Sequence, residues 1–122
     1  MLIAVDDEQP SLFLIGTGDG RVTNEVRLED VPKAAQIARY APDNSLIAVS
    51  RLNSDLVSLI GPSFRQQTAI KVGSQPMGMA FRDDELFVAC YGDGSVHVID
   101  IPKQLAKHNF RADTGCESLG FF

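Results

Sequence analysis

The sequence predicts an all-β fold assembled from copies of one four-stranded antiparallel unit, and three observations carry that prediction. The same apolar opening is written three times, as Leu2-Ile3-Ala4-Val5, Leu46-Ile47-Ala48-Val49 and Leu86-Phe87-Val88-Ala89, 44 and then 40 residues apart. A period of that size marks a repeat array. Strand-like runs of four to seven residues recur every 8–12 residues, with turn clusters between them. No stretch of ten or more residues carries a clean helical period.

Taken in order, the strands are expected over 1–5, 11–16, 20–28, 34–41, 45–50, 55–60, 66–72, 76–82, 85–91, 94–100, 105–112 and 117–122. Each is bounded by residues that favour turns. Asp6-Asp7-Glu8-Gln9-Pro10 separates the first pair, Pro42-Asp43-Asn44 the fourth and fifth, and Leu52-Asn53-Ser54-Asp55 the fifth and sixth. Asp83-Asp84 and Gly92-Asp93-Gly94 do the same further on, because Asp and Gly accept the positive φ of a tight hairpin. Val96-His97-Val98-Ile99 has the period of two of a half-buried strand. Ala34–Tyr40 comes nearest to a helix, but Pro32 and Pro42 bound it, and its place in the repeat makes it a strand.

Sliding the chain by 40 residues aligns 46–82 with 86–122 without a gap: Leu56 meets Val96, Leu59 meets Ile99, Pro62 meets Pro102 and Met79 meets Leu119. At an offset of 44, Val26-Arg27-Leu28 matches Ile70-Lys71-Val72. A rival register, at an offset of 74, sets Leu12-Phe13 and Gly18-Asp19-Gly20 on Leu86-Phe87 and Gly92-Asp93-Gly94. It leaves too few residues for a fourth strand in the first copy. Twelve strands in three sets of four, at 40–45 residues per set, have the form of β-propeller blades.

The run Gly73-Ser74-Gln75-Pro76-Met77-Gly78-Met79-Ala80-Phe81, then Asp83-Asp84-Glu85-Leu86-Phe87-Val88-Ala89, then Gly94-Ser95-Val96-His97-Val98-Ile99-Asp100, resembles a YVTN/NHL-type propeller repeat. WD-repeat blades look similar, although the Gly-His and Trp-Asp pairs are missing and the chain has no Trp. The resemblance implies that the P-x-G-x-A strand is innermost in its blade and that the others follow outwards. Such repeats serve scaffolds, lectins, lactonases and dehydrogenases, so the likeness implies a fold much more than an activity.

The expected organisation is one three-bladed unit over 1–122: a first blade from the strands of 1–28, completed by 117–122, a second over 34–72 and a third over 76–112. Three blades cannot close a ring, and closed propellers have about four to eight. An open array leaves apolar faces and an inner strand edge in water. Two copies closing a six-bladed ring is the favoured solution, with Leu2, Ile3, Val5, Glu117, Leu119, Phe121 and Phe122 at the closure. A piece of a longer propeller, or pairing with a different half-propeller, is the alternative.

The net charge of −5 argues against a sequence-independent nucleic-acid binder, which needs a basic face for phosphates. No apolar run approaches 18 residues, and the N-terminus lacks the basic and long apolar regions of a signal peptide. Cys90 and Cys116 are too few for a disulfide framework, so a cytoplasmic, reducing setting is expected. No catalytic motif is present. His97 and His108 read as structural and surface residues, and neither has partners at zinc-ligand spacing. Neither Gly-Asp-Gly run continues into an acidic calcium loop, so no cofactor or metal is expected.

One face of the array remains. In a propeller, the turns from strand two to three and from strand four to the next blade lie on the same end. That end gathers Asp6, Asp7, Glu8, Glu29 and Asp30, then Arg51, Asn53, Asp55, Ser74 and Gln75, then Tyr91, Asp93, Asp113 and Thr114. Loops on a rigid scaffold are where binding residues concentrate. The expected function is a non-enzymatic interaction scaffold whose acidic rim takes a basic peptide or protein. The alternatives are a small-molecule-binding or metal-dependent, lactonase-like propeller, and a subunit whose role is to complete a larger assembly.

Overall fold

Alternating apolar residues broken by Asp- and Gly-rich turns give eleven strands and no helix among the residues described by the computed structural model, which are 2–6, 8–9, 11–28, 37–43, 45–61, 63–113, 115–116 and 118–120. The strands are β1 (Leu2–Val5), β2 (Ser11–Ile15), β3 (Val22–Arg27), β4 (Ile37–Tyr40), β5 (Ile47–Arg51), β6 (Leu56–Ile60), β7 (Gln67–Lys71), β8 (Pro76–Arg82), β9 (Glu85–Cys90), β10 (Ser95–Asp100) and β11 (Leu105–Arg111). They form three consecutive antiparallel meanders, β1-β2-β3, β4-β5-β6-β7 and β8-β9-β10-β11. The twelfth expected strand differs. Ser118, Leu119 and Gly120 are in no strand, while Glu117, Phe121 and Phe122 lie outside the described residues.

The sheets stack face to face in chain order. Ile3, Val5, Leu12, Leu14, Val26 and Leu28 of the first sheet pack on Ile47, Val49 and Ile60 of the second. Ala48, Val57, Leu59 and Ile70 on the other side of the second sheet pack on Met79, Leu86, Val88, Cys90 and Ile99 of the third. The middle sheet is thus apolar on both faces, and every residue of β5 is buried.

Register corrects the repeat alignment. The hairpin of the second sheet closes at Arg51↔Leu56 and that of the third at Cys90↔Ser95, so these positions correspond at a shift of 39, not 40. In the first sheet the Asp6 amide donates to the Ser11 carbonyl, which puts Asp6 and Ser11 at the same position, 45 residues before Arg51 and Leu56. A slip of one residue exchanges the two faces of a strand. With the shifts of 45 and 39, Ile3, Ala48 and Phe87 share one face, and Leu2, Ile47 and Leu86 share the other. Every sheet then presents the same side to its successor, as a regular rotation about one axis requires. Two residues are missing from the turn between inner strands, where the shift passes from 41 at Tyr40 and Phe81 to 39 at Ile47 and Leu86. Four residues, 42–45, link the paired Ala41 and Leu46 in one of them, whereas Asp83-Asp84 alone links the paired Arg82 and Glu85 in its counterpart.

Candidate functional site

The hairpin turns and sheet-to-sheet links lie together at one end, and backbone hydrogen bonds stitch them. In the link 72–75, Val72 donates to the Asp55 carbonyl at 3.0 Å and Gln75 to the Asp55 carboxylate at 3.0 Å. On its other flank, Tyr91 donates to the Gln75 carbonyl at 2.9 Å and Gly92 to the Ser74 carbonyl at 3.0 Å. The link between the second and third sheets is therefore clamped by a turn from each. Asp55 and Gly94 close their turns with φ of 56° and 68°, a left-handed position that Gly adopts freely and Asp tolerates.

These contacts decide what the acidic residues do. Asp93 accepts from the Ser74 amide at 3.0 Å through Oδ2, and from the Ser95 amide at 3.1 Å and the Ser95 hydroxyl at 2.6 Å through Oδ1. Partial burial works against its ionisation, but the Ser95 hydroxyl, the two amides and neighbouring His97 outweigh it and hold the carboxyl below its ordinary range. Asp6 accepts from the Glu8 and Gln9 amides at 2.8 and 3.2 Å, shaping its own turn. Both residues are expected on the rim; Asp93 uses both carboxylate oxygens within the fold, and Asp6 uses Oδ1 within its own exposed turn. Glu8 and Asp113 are exposed, and Tyr91 is 45% exposed. Asp7, Glu29, Asp30 and Thr114 lie outside the described residues.

Arg51 departs most from a rim position. It ends β5 with its side chain turned into the stack, 0% exposed, and it donates to the Ser58 hydroxyl at 3.5 Å. Burial lowers its pKa from the usual guanidinium value. Of the closure residues, Leu2 is 58% exposed, while Ile3, Val5 and Leu119 are half-buried.

A polar recess of about 390 Å³ opens beside the clamp, lined by Gly73, Asp93, Ser95, His97, Asn109 and Arg111. The backbone places its walls. Ser95 pairs with Arg111 and His97 with Asn109 across β10 and β11, so all four side chains share one face of the third sheet. Gly73 closes the inner end, where a Cβ would lie 2.6 Å from both Asp93 Oδ2 and Ser95 Oγ and 2.9 Å from His97 Nε2. Burial lowers the His97 pKa below the usual histidine value, against a smaller opposing pull from Asp93. The sequence reading of His97 omits this recess, because its signal depends on cross-strand register. A second recess, of about 270 Å³, lies by the turns of the opposite end, with Ala41, Phe81 and Ile101 beside Asp43, Asp83 and Asp84. No group of three His, Cys, Asp or Glu among the described residues converges to hold a metal ion. No helix among them is long and apolar enough to cross a membrane.

No protein-family model matches the sequence, and no curated protein matches it significantly. Solved structures do. A hydrazine synthase from Kuenenia stuttgartiensis superposes with a TM-score of 0.79 at 25% identity, over 89% of this chain and 32% of that one. The WD40 repeats of RRP9 give a TM-score of 0.77 at 16% identity, over 93% and 36%. Sqt1 of Saccharomyces cerevisiae gives 0.77 at 14%, over 93% and 31%. The chain thus spans about a third of the length of each of these chains. Three consecutive antiparallel sheets, stacked in one sense and superposing on WD40 repeats, give the chain the fold of a β-propeller segment with WD-like blades.

Proposed function

We propose that the chain is a non-enzymatic protein-interaction scaffold that completes a six-bladed ring by pairing with a second copy of itself. The supporting observation is the fate of equivalent positions. Val26, Ile70 and Phe110 occupy one place on the outgoing face of each sheet, and they are 4%, 6% and 48% exposed. Leu2, Ile47 and Leu86 occupy one place on the incoming face, and they are 58%, 1% and 0% exposed. At these two places the side chain is buried where a neighbouring sheet covers it and open where none does, while Ala89, Val96 and Val98 on the third sheet's outgoing face are themselves buried. In the proposed ring, Leu2 on the first sheet's incoming face and Phe110 on the third sheet's outgoing face meet across the joint, as Ile47 and Ile70 meet their neighbours within the chain. A second copy, turned through a two-fold axis, joins both pairs of ends at once.

In such a ring the loop end carries each rim segment twice. Glu8 and Asp113 offer negative charge to a basic peptide. Asp6 and Asp93 shape the loops, and Arg51 lies buried in the stack against Ser58.

Light scattering on the purified 122-residue chain tests the ring. The expected mass is twice the 13.3 kDa of one chain. Leu2→Asp and Phe110→Asp, both at exposed positions, are expected to give folded monomers. A wild-type chain that stays monomeric at high micromolar concentration while melting cooperatively overturns the proposal.

A further inference from the structure

We infer that the recess between the second and third sheets binds a carboxylate group, held by Arg111, Asn109 and His97. The three side chains stand on one face of neighbouring strands, with His97 directly opposite Asn109 and Arg111 one pair further along. Cross-strand partners of this kind have Cβ atoms about 5 Å apart, so their polar ends reach one small ligand. Asn109 and Arg111 are exposed at the mouth, and His97 is half-buried behind them. None of the three side chains makes a hydrogen bond or ion pair with another described residue. Among the described residues their donors are unspent.

The corresponding face of the second sheet shows what is particular here. Ser58 and Leu56 stand where His97 and Ser95 stand in the third sheet, and Ala69 and Lys71 where Asn109 and Arg111 stand. Only the third sheet carries the imidazole, the amide and the guanidinium together. An arginine fork matches the two oxygens of a planar carboxylate, an arrangement that a lysine cannot supply. The opposite wall selects for low ligand charge. Asp93 is ionised there, and its oxygens are already taken by Ser74 and Ser95. A monoanion meets less repulsion from that wall than a dianionic phosphate does. The recess lies within one chain, so the inference stands apart from ring closure, and a monomer is as good a sample as a dimer.

The test is an NMR titration at pH 7 and constant ionic strength, following the Arg111 side-chain N–H and the His97 ring protons. Sodium acetate is the probe, with inorganic phosphate and chloride as comparisons. Acetate is expected to give saturable shifts at both residues, weakened at least tenfold in Arg111→Met and only in part in Arg111→Lys. His108→Gln, on the other face of the third sheet, is expected to leave the titration unchanged. Shifts that grow linearly without saturating, an equal response to chloride, saturation retained in Arg111→Met, or tighter binding of phosphate than of acetate would each overturn the inference. Arg111 is exposed, so its variants fold, and the dispersion of their spectra verifies it.

Discussion

Two residues report on the interior through their protons. Cys90 lies under the clamp at 0% exposure, and burial pushes its thiol up to about 11. The thiolate is the reactive form, so Cys90 is expected to resist a thiol reagent at pH 8 until the chain is denatured. Half-buried Cys116 is expected to react in the native state. A single slow thiol and a single fast one, counted by mass spectrometry, verify this; two fast thiols contradict it. His97 is the second reporter. Its folded pKa lies below the ordinary 6.5, so on acidification the unfolded chain takes up the proton first. Stability is intact above that value and falls as the pH drops through it. Asp93 acts with the same sign, but only as the pH approaches 3.8. Melting temperatures between about pH 7 and pH 5 therefore isolate the histidine, and His97→Gln is expected to flatten their slope.

At the scale of elements, strand positions are legible because their causes are local. Alternation marks the strand, and Asp or Gly marks the turn. Residues 76–82 and 85–90 are strands for reasons contained within themselves. The faces of those strands are a different matter. They depend on whether the connection between two inner strands has two residues or four, and turn composition does not count residues across a gap. That is why an alignment by apolar matches pairs Leu56 with Val96, whereas the hairpins pair Leu56 with Ser95. The roles of the acidic turn residues are hidden for a related reason. An acidic residue in a turn reads as solvent-facing, but Asp55 and Asp93 turn back to cap amides of the neighbouring link. Gly73 tests that link. A methyl group there would collide with Asp93, Ser95 and His97, so Gly73→Ala is expected to cost about 1–3 kcal/mol in urea unfolding. Gly18→Ala, where a Cβ meets nothing within 4 Å, is the control and is expected to be near neutral.

For the whole molecule, the middle sheet sets the terms. With both of its faces covered it shows what a finished blade looks like, and the outer sheets show what an unfinished one lacks. Ile47 and Ile70 are the finished state; Leu2 and Phe110 are the same positions waiting. A subunit that carries both halves of one joint is a monomer in the polymer chemist's sense, able to link head to tail without limit. What separates a ring from a filament is the pitch of each step. A flat rotation brings the last end back to the first, whereas a small rise per blade carries it past. Closure is intramolecular once two copies have met, so dilution favours the ring and crowding favours the thread. On the proposed pairing, the stacking of three sheets in one sense sets an assembly that concentration can steer.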